Sequence, residues 1–174
     1  MRIRLRDIQE AVKELVFDES TSELNQLFEH EPVRDYEFTG PVTARIRYYR
    51  SGTELFFTGE VSGEVVGQCA RCLEGFTFRL TAPFSFVFVP RVSRWTGDAD
   101  AGDVDLYSYA GDEIDLSPSL REHILLSLPT LPLCDEGCLG LCPQCGANRN
   151  CGACGCQAQG DPRLSVLRNL RARG

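Results

Sequence analysis

The sequence predicts an α+β fold: an antiparallel β-sheet of long strands, a few short helices and a cysteine-rich C-terminal segment. Three observations predict it. Apolar alternation runs through three long stretches in succession between residues 41 and 89, joined by short connections. Leu120, Ile124 and Leu128 recur at helical spacing. Seven of the nine cysteines fall between Cys134 and Cys156.

The elements follow in order. Residues 2–6 alternate arginine with Ile3 and Leu5, a short strand pattern. Residues 7–30 are ambiguous, with Leu24, Leu27 and Phe28 suggesting a short helix. From Pro41 to Tyr49, Val42, Ala44, Ile46 and Tyr48 alternate with Thr43, Arg45, Arg47 and Tyr49. Arg50-Ser-Gly52 makes a turn, and a second strand runs from Thr53 to Gln68. The third runs from Phe76 to Val89. Its Phe84-Ser-Phe-Val-Phe-Val89 end is apolar on both faces, as in a covered, central strand. Residues 91–115 are glycine-containing and weakly periodic, a mobile loop. Ser117 then caps a helix with Pro118 in its first turn, and Pro129 and Pro132 stop it. Asp161-Pro162 starts a last short helix with Leu164, Leu167 and Leu170 inward. The expected organisation is a β-rich domain over 1–96 and an acidic flexible loop over 97–116. Residues 117–174 then form a helix, cysteine segment and final helix packed on the β-rich part.

Charge and compartment narrow the function classes. Net charge is −7, and residues 97–115 carry seven acids and no base, so the remainder is neutral. Local basic patches are still possible, and almost every cation is arginine, Lys13 being the only lysine. No apolar run reaches about 18 residues, so no membrane-spanning helix and no membrane partner are expected. The start lacks an apolar signal core, so the chain is expected to be cytoplasmic, where thiols stay reduced. An odd count of nine cysteines also fits poorly with a closed disulfide framework.

The thiols are spaced C-x2-C at Cys69 and Cys72, then C-x3-C at Cys134 and Cys138. C-x2-C at Cys142 and Cys145 follows, then C-x2-C-x-C at Cys151, Cys154 and Cys156. A two-residue gap lets one tight turn aim two sulfurs at one ion, and tetrahedral zinc takes two such pairs at about 2.3 Å. Neither ferredoxin spacing matches. Cys69 and Cys72 lie between strands rather than at the strand-to-helix turn of a thioredoxin-like pair. Free thiols at this density would be exposed and oxidisable. The segment is too poor in apolar residues to pack a core, so structural Zn2+ is expected to order it, at on the order of 10–16 kcal/mol per site. His123 is read as a surface or interface histidine and His30 as solvated.

Three motifs carry a resemblance. They are Cys69-Ala-Arg-Cys-Leu-Glu-Gly-Phe76, Leu128-Pro-x-Leu-Pro-Leu-Cys134 leading into Cys138-Leu-Gly-Leu-Cys-Pro-x-Cys-Gly-x-Asn148, and Asp161-Pro-Arg-Leu-x-Val-Leu167. Together they resemble the YceD-like family of bacterial and plastid proteins linked to accumulation of large-subunit (23S) ribosomal RNA. The resemblance runs from about residue 1 to residue 172. It implies a role in making, processing or stabilising that RNA, and no catalysis. The family's Cys-x-Cys pair matches Cys154 and Cys156, leaving Cys151 extra. The resemblance therefore implies two zinc ions, one on Cys142, Cys145, Cys154 and Cys156, the other on Cys69, Cys72, Cys134 and Cys138. A single site of Cys69, Cys72, Cys142 and Cys145 remains open, as does replacement of Cys154 by Cys151.

No nucleotide-binding loop, Ser/His/Asp ordering or open metal site appears, so neither an enzyme nor a small-molecule substrate is expected. Two readings remain. In one, ribosomal RNA or a pre-large-subunit particle is the partner, met by Arg45, Arg47 and Tyr49 on one strand face and by Arg168 and Arg171 of the last helix. In the other, the chain is a zinc-stapled adaptor whose acidic 97–115 segment engages a basic ribosomal protein or a processing enzyme.

Overall fold

The computed structural model describes residues 1–28, 36–91 and 105–156. Its elements are β1 (Arg2–Arg4), a 3-10 turn (Leu5–Asp7), β2 (Lys13–Glu19), α1 (Thr21–Gln26), β3 (Tyr36–Phe38), β4 (Val42–Ser51), β5 (Glu54–Gln68), β6 (Gly75–Pro90), β7 (Asp105–Tyr109), β8 (Glu113–Asp115) and α2 (Ser117–Leu126). The main sheet has the order β2-β4-β5-β6-β7, with β3 pairing β5 beyond the end of β4, while β1 and β8 form a two-stranded ribbon.

The β4–β5–β6 meander is antiparallel as expected, and β5 and β6 pair over most of their lengths, from Leu55↔Phe88 to Gln68↔Gly75. The sheet as a whole is mixed, which corrects the expectation of a purely antiparallel one. β7 pairs parallel to β6, Phe86 opposite Asp105 and Pro90 opposite Tyr109. Local patterning signals hairpins, whereas a parallel neighbour needs a crossover and leaves no turn to read. The stretch taken as a flexible acidic loop thus contributes two strands, β7 and β8. β2 also lies in a region whose periodicity was ambiguous.

Alternation sets the faces. In β4, Val42, Ala44 and Ile46 are buried while Arg45 and Arg47 are exposed. In β5 and β6, Leu55, Phe57, Val61 and Val65 share the inner face with Leu80, Ala82, Phe84, Phe86 and Phe88. The long pair is close-packed: a Cβ at Gly59 would sit 2.0 Å from the Arg45 carbonyl oxygen, so only glycine fits there. α2 presents Leu120 and Ile124 to this core, and Ile8, Leu24, Phe38, Ile114 and Leu116 complete it.

The helix begins at Ser117 itself, so Ser117 is not the cap. The Asp115 carboxylate takes the capping part, accepting the Ser117 backbone N–H at 3.0 Å. Arg121 of α2 reaches back to Glu19 at the end of β2 and to Glu23 of α1, tying three elements together. Glu19 is buried, and burial pushes its carboxyl above the ordinary value despite Arg121. The final helix expected from Asp161, with Arg168 and Arg171, lies outside the described residues.

Candidate metal centres

The β5–β6 hairpin ends in a knuckle. Cys69 N–H donates to the Glu74 carbonyl and Leu73 N–H to the Cys69 carbonyl, both at 2.9 Å. These two bonds fold Cys69 and Cys72 toward one point. Leu73 pays for the turn with a left-handed φ of 61°. The second knuckle repeats the pattern. Cys142 N–H donates to the Ala147 carbonyl and Gly146 N–H to the Cys142 carbonyl, both at 2.8 Å. Gly146 holds the position equivalent to Leu73, with φ 71°.

The eight sulfurs separate into two groups: Cys69, Cys72, Cys134 and Cys138, and Cys142, Cys145, Cys154 and Cys156. Within each, the ligand atoms lie within 4.8 Å of one another. In the first group Cys69 Sγ lies 3.8 Å from Cys138 Sγ, and Cys72 Sγ lies 3.7 Å from Cys134 Sγ. A disulfide needs about 2.05 Å. A tetrahedron with sulfurs about 2.3 Å from its centre has edges near 3.8 Å, so the spacing fits a zinc-sized ion with four thiolate ligands.

Electrostatics agree with that fit. The Cys134 backbone N–H, joined by those of Cys72 and Arg71, pulls the Cys69 thiol down to about 6. The N–H groups of Cys145 and Gln144 do the same for Cys142, also to about 6. Cys134 is pushed up to about 12 by lost hydration and its three sulfur neighbours, and Cys156 to about 12, chiefly by Cys145. In each group some thiols are drawn toward the thiolate while others are held back from it, so the four resist ionising together. A divalent cation at the centre removes that resistance.

The two groups differ in setting. Cys69, Cys72 and Cys138 form a small buried cluster with Phe76 and Leu133 packed against it. Ala70 N–H donates to the Pro132 carbonyl at 2.8 Å and Leu141 N–H to the Arg71 carbonyl at 3.0 Å. The first group therefore joins the hairpin end to the segment after α2. In the second group only Cys142 is buried; Cys145 and Cys156 are exposed.

Several supporting residues went unread in the sequence. The Arg71 guanidinium donates to the carbonyls of Glu136 and Cys138, both at 3.1 Å. Asn150 Nδ2 donates to Cys138 Sγ at 3.3 Å, while its Oδ1 accepts the Leu139 N–H at 2.8 Å. Asn150 is the leading cause of the lowered Cys138 thiol. Asparagine among cysteines and glycines was the available signal. Cys151 belongs to neither group. His123 packs edge-on to Phe84 and Phe86, with Nδ1 4.0 Å from Asp105, and joins no metal group among the described residues. His30 lies outside the described residues.

Arg45, Arg47 and Tyr49 share the sheet face opposite the core. Tyr49 stacks on Phe56 with ring centroids 4.9 Å apart and planes 8° from parallel. Arg45 stands opposite Val16 and Glu60, and Arg47 opposite Glu14 and Thr58. No helix among the described residues is long and apolar enough to cross a membrane.

A mixed sheet whose central hairpin ends in one half of a four-cysteine cluster, with a second cluster beside it, defines a class of small cysteine-clasped proteins. The comparisons specify it. The sequence profile of the family described as "Large ribosomal RNA subunit accumulation protein YceD" matches residues 57–171, and the chain belongs to that family. It is 30% identical over 158 residues to the uncharacterized protein YlbN of Bacillus subtilis, covering 88% of this chain and 86% of that one. It is 27% identical over 168 residues to the chloroplastic large ribosomal RNA subunit accumulation protein YCED homolog 1 of Arabidopsis thaliana, covering 80% of this chain and 51% of the other. An uncharacterized protein of Mycobacterium tuberculosis is 33% identical over 95 residues, 53% of this chain and 44% of its own. The chain thus spans about half the length of the plant and mycobacterial relatives. No solved structure matches.

Proposed function

We propose that the chain is a non-enzymatic ribosome-biogenesis factor that supports the synthesis, processing or stability of 23S ribosomal RNA, stapled by two structural zinc ions. The observation that carries this reading is the family match, which takes in all eight clustered cysteines. Cys69, Cys72, Cys134 and Cys138 would hold one ion, and Cys142, Cys145, Cys154 and Cys156 the other. Four thiolates leave no position for water or substrate, which favours a structural over a catalytic role. The cytoplasm is the expected compartment.

The partner would be ribosomal RNA or a pre-large-subunit particle. Arg45 and Arg47, which make no ion pair among the described residues, would meet phosphates, with Tyr49 beside them and Arg168 and Arg171 further along the chain. One observation favours a second reading: Glu60 and Glu14 stand in register with the two arginines and offset their charge. In that reading the chain is a protein adaptor, and acids of 97–115 meet a basic ribosomal protein or a processing enzyme.

Binding of the zinc-loaded chain to 23S RNA fragments across a salt series tests the two. Affinity that falls steeply with salt, and drops for the Arg45→Ala/Arg47→Ala double variant, supports direct RNA contact. Indifference to RNA overturns it. Capture of a purified ribosomal protein that is lost when Asp98, Asp100 and Asp103 become asparagine then supports the adaptor.

A further inference from the structure

The ninth cysteine has no place in either cluster, yet it sits beside the more open one. A cavity of about 490 Å³ is lined by Cys142, Cys151, Cys154 and Cys156, together with Leu139 and Arg149. Cys151 is exposed and Cys154 half-buried. Cys151-Gly-Ala-Cys154 places two thiols at the C-x2-C spacing of exchangeable redox pairs. Nothing lies within 4 Å of where a side chain would start at Gly152 or Gly155, so the loop between and after the two thiols has room to rearrange. Cys154 therefore has two possible partners: the ion shared with Cys142, Cys145 and Cys156, or the sulfur of Cys151.

The first cluster offers no such choice. Cys69, Cys72 and Cys138 are 0%, 3% and 6% exposed, while Cys134 is exposed. The remaining cysteines of the chain are either ligands of one cluster or Cys151, which lines the cavity of the other. The hairpin, the Pro132 carbonyl and Arg71 hold the first cluster shut.

We propose that Cys151 and Cys154 form a disulfide on exposure to a hydroperoxide, which withdraws one ligand from the second site and releases its metal while the first site stays closed. This rests on the reading of the second cluster as a metal site. The chemistry balances. The Cys151 thiolate attacks one peroxide oxygen, the O–O bond breaks, and hydroxide leaves as Cys151 becomes a sulfenic acid. The Cys154 thiolate then attacks the Cys151 sulfur, an S–S bond forms, and a second hydroxide leaves. Two thiolates are oxidised to one disulfide as one hydrogen peroxide is reduced to two hydroxides. Three thiolates remain at the second site, too few for a closed tetrahedral shell.

The test uses the full zinc-loaded chain, hydrogen peroxide and a chromogenic zinc chelator, followed by alkylation and peptide mapping. The expected result is loss of half the bound zinc, a Cys151–Cys154 disulfide, and recovery on adding thiol reductant and zinc. Cys69, Cys72, Cys134 and Cys138 should stay unoxidised at that dose. Cys151→Ser should release no zinc at the dose that half-empties the wild type. Release at the same dose from the variant, equal oxidation of both clusters, or a bond mapped elsewhere overturns the proposal. Zinc content below two per chain before any peroxide is added would instead show that the reading of the second cluster had failed, and the proposal falls with it.

Discussion

Serine in place of Cys69 should loosen the whole sheet, whereas serine in place of Cys142 should loosen only its own loop. The difference follows from which parts of the chain each cluster joins. Cys72 and Cys134 are 62 residues apart, and their sulfurs lie 3.7 Å from each other. Cross-linking a loop of that length removes about 4 kcal/mol of entropy from the unfolded chain. Cys142 to Cys156 is a loop of 15 residues that includes no strand of the main sheet. Its cross-link is worth about 3 kcal/mol, but to a local unit that can open by itself. In a chain of this size 1 kcal/mol moves the melting midpoint by roughly 2–4 °C. Cys69→Ser should therefore lower the sheet's midpoint by roughly 8–16 °C. Cys142→Ser should move it far less, since Asn150 and the Leu141–Arg71 bond still link the two parts. Far-UV circular dichroism with zinc content measured on the same samples reads both quantities. Equal shifts for the two variants, or an unmoved midpoint for Cys69→Ser, would refute the clasp.

Three further outcomes follow from other contacts. Glu19 has a carboxyl raised above 4.5 by burial. A raised acid stabilises the fold fully below its unfolded value and loses that contribution as pH rises through the folded one. Glu19→Gln should flatten this decline, while Arg121→Ala, which strands a buried charge, should cost about 3 kcal/mol at neutral pH; urea melts at about pH 4 and about pH 7 check both. Leu73→Gly should raise the urea midpoint, because a side chain in the left-handed region costs about 1–2 kcal/mol and glycine gives back about 0.5–1 in chain entropy. Asn150→Ala should weaken zinc binding about 10–100-fold in a chelator competition, and Asn150→Asp should not rescue it, having no N–H to give Cys138.

The meander and the turns that aim paired sulfurs were legible because both are written in short-range spacing, whereas the division of the thiols into two groups was implied by the family resemblance and not by the spacing. Val42, Ala44 and Ile46 against Arg45 and Arg47 announce a half-buried strand. β2 stayed hidden because Val16, on its outward face, is 63% exposed, so Leu15-Val-Phe17 does not alternate in hydrophobicity although it alternates in burial. β7 was obscured by the acids around it, although Leu106-Tyr-Ser-Tyr109 has strand composition. Its parallel pairing to β6 had no local signature at all. At the clusters, cysteine spacing marks which turns can hold an ion, but not Asn150 or Arg71. Their contacts depend on where the folded chain brings the Cys138 carbonyl and sulfur.

The two knuckles also differ in what they ask of their surroundings. Both use the same pair of backbone bonds to aim two sulfurs, and both draw their first sulfur down to about 6 through backbone N–H groups. The local turn therefore determines charge and direction alike. It does not determine permanence. The hairpin knuckle is completed by Cys134 and Cys138 from beyond α2, with Phe76 and Leu133 packed against the sulfurs, so opening it means separating distant parts of the fold. The second knuckle is completed by residues a few positions on, two of its four cysteines are exposed, and a cavity lies beside it. Identical turns thus produce one site coupled to global unfolding and one that can exchange ligands locally, and the distance along the chain from which the completing cysteines come makes the difference.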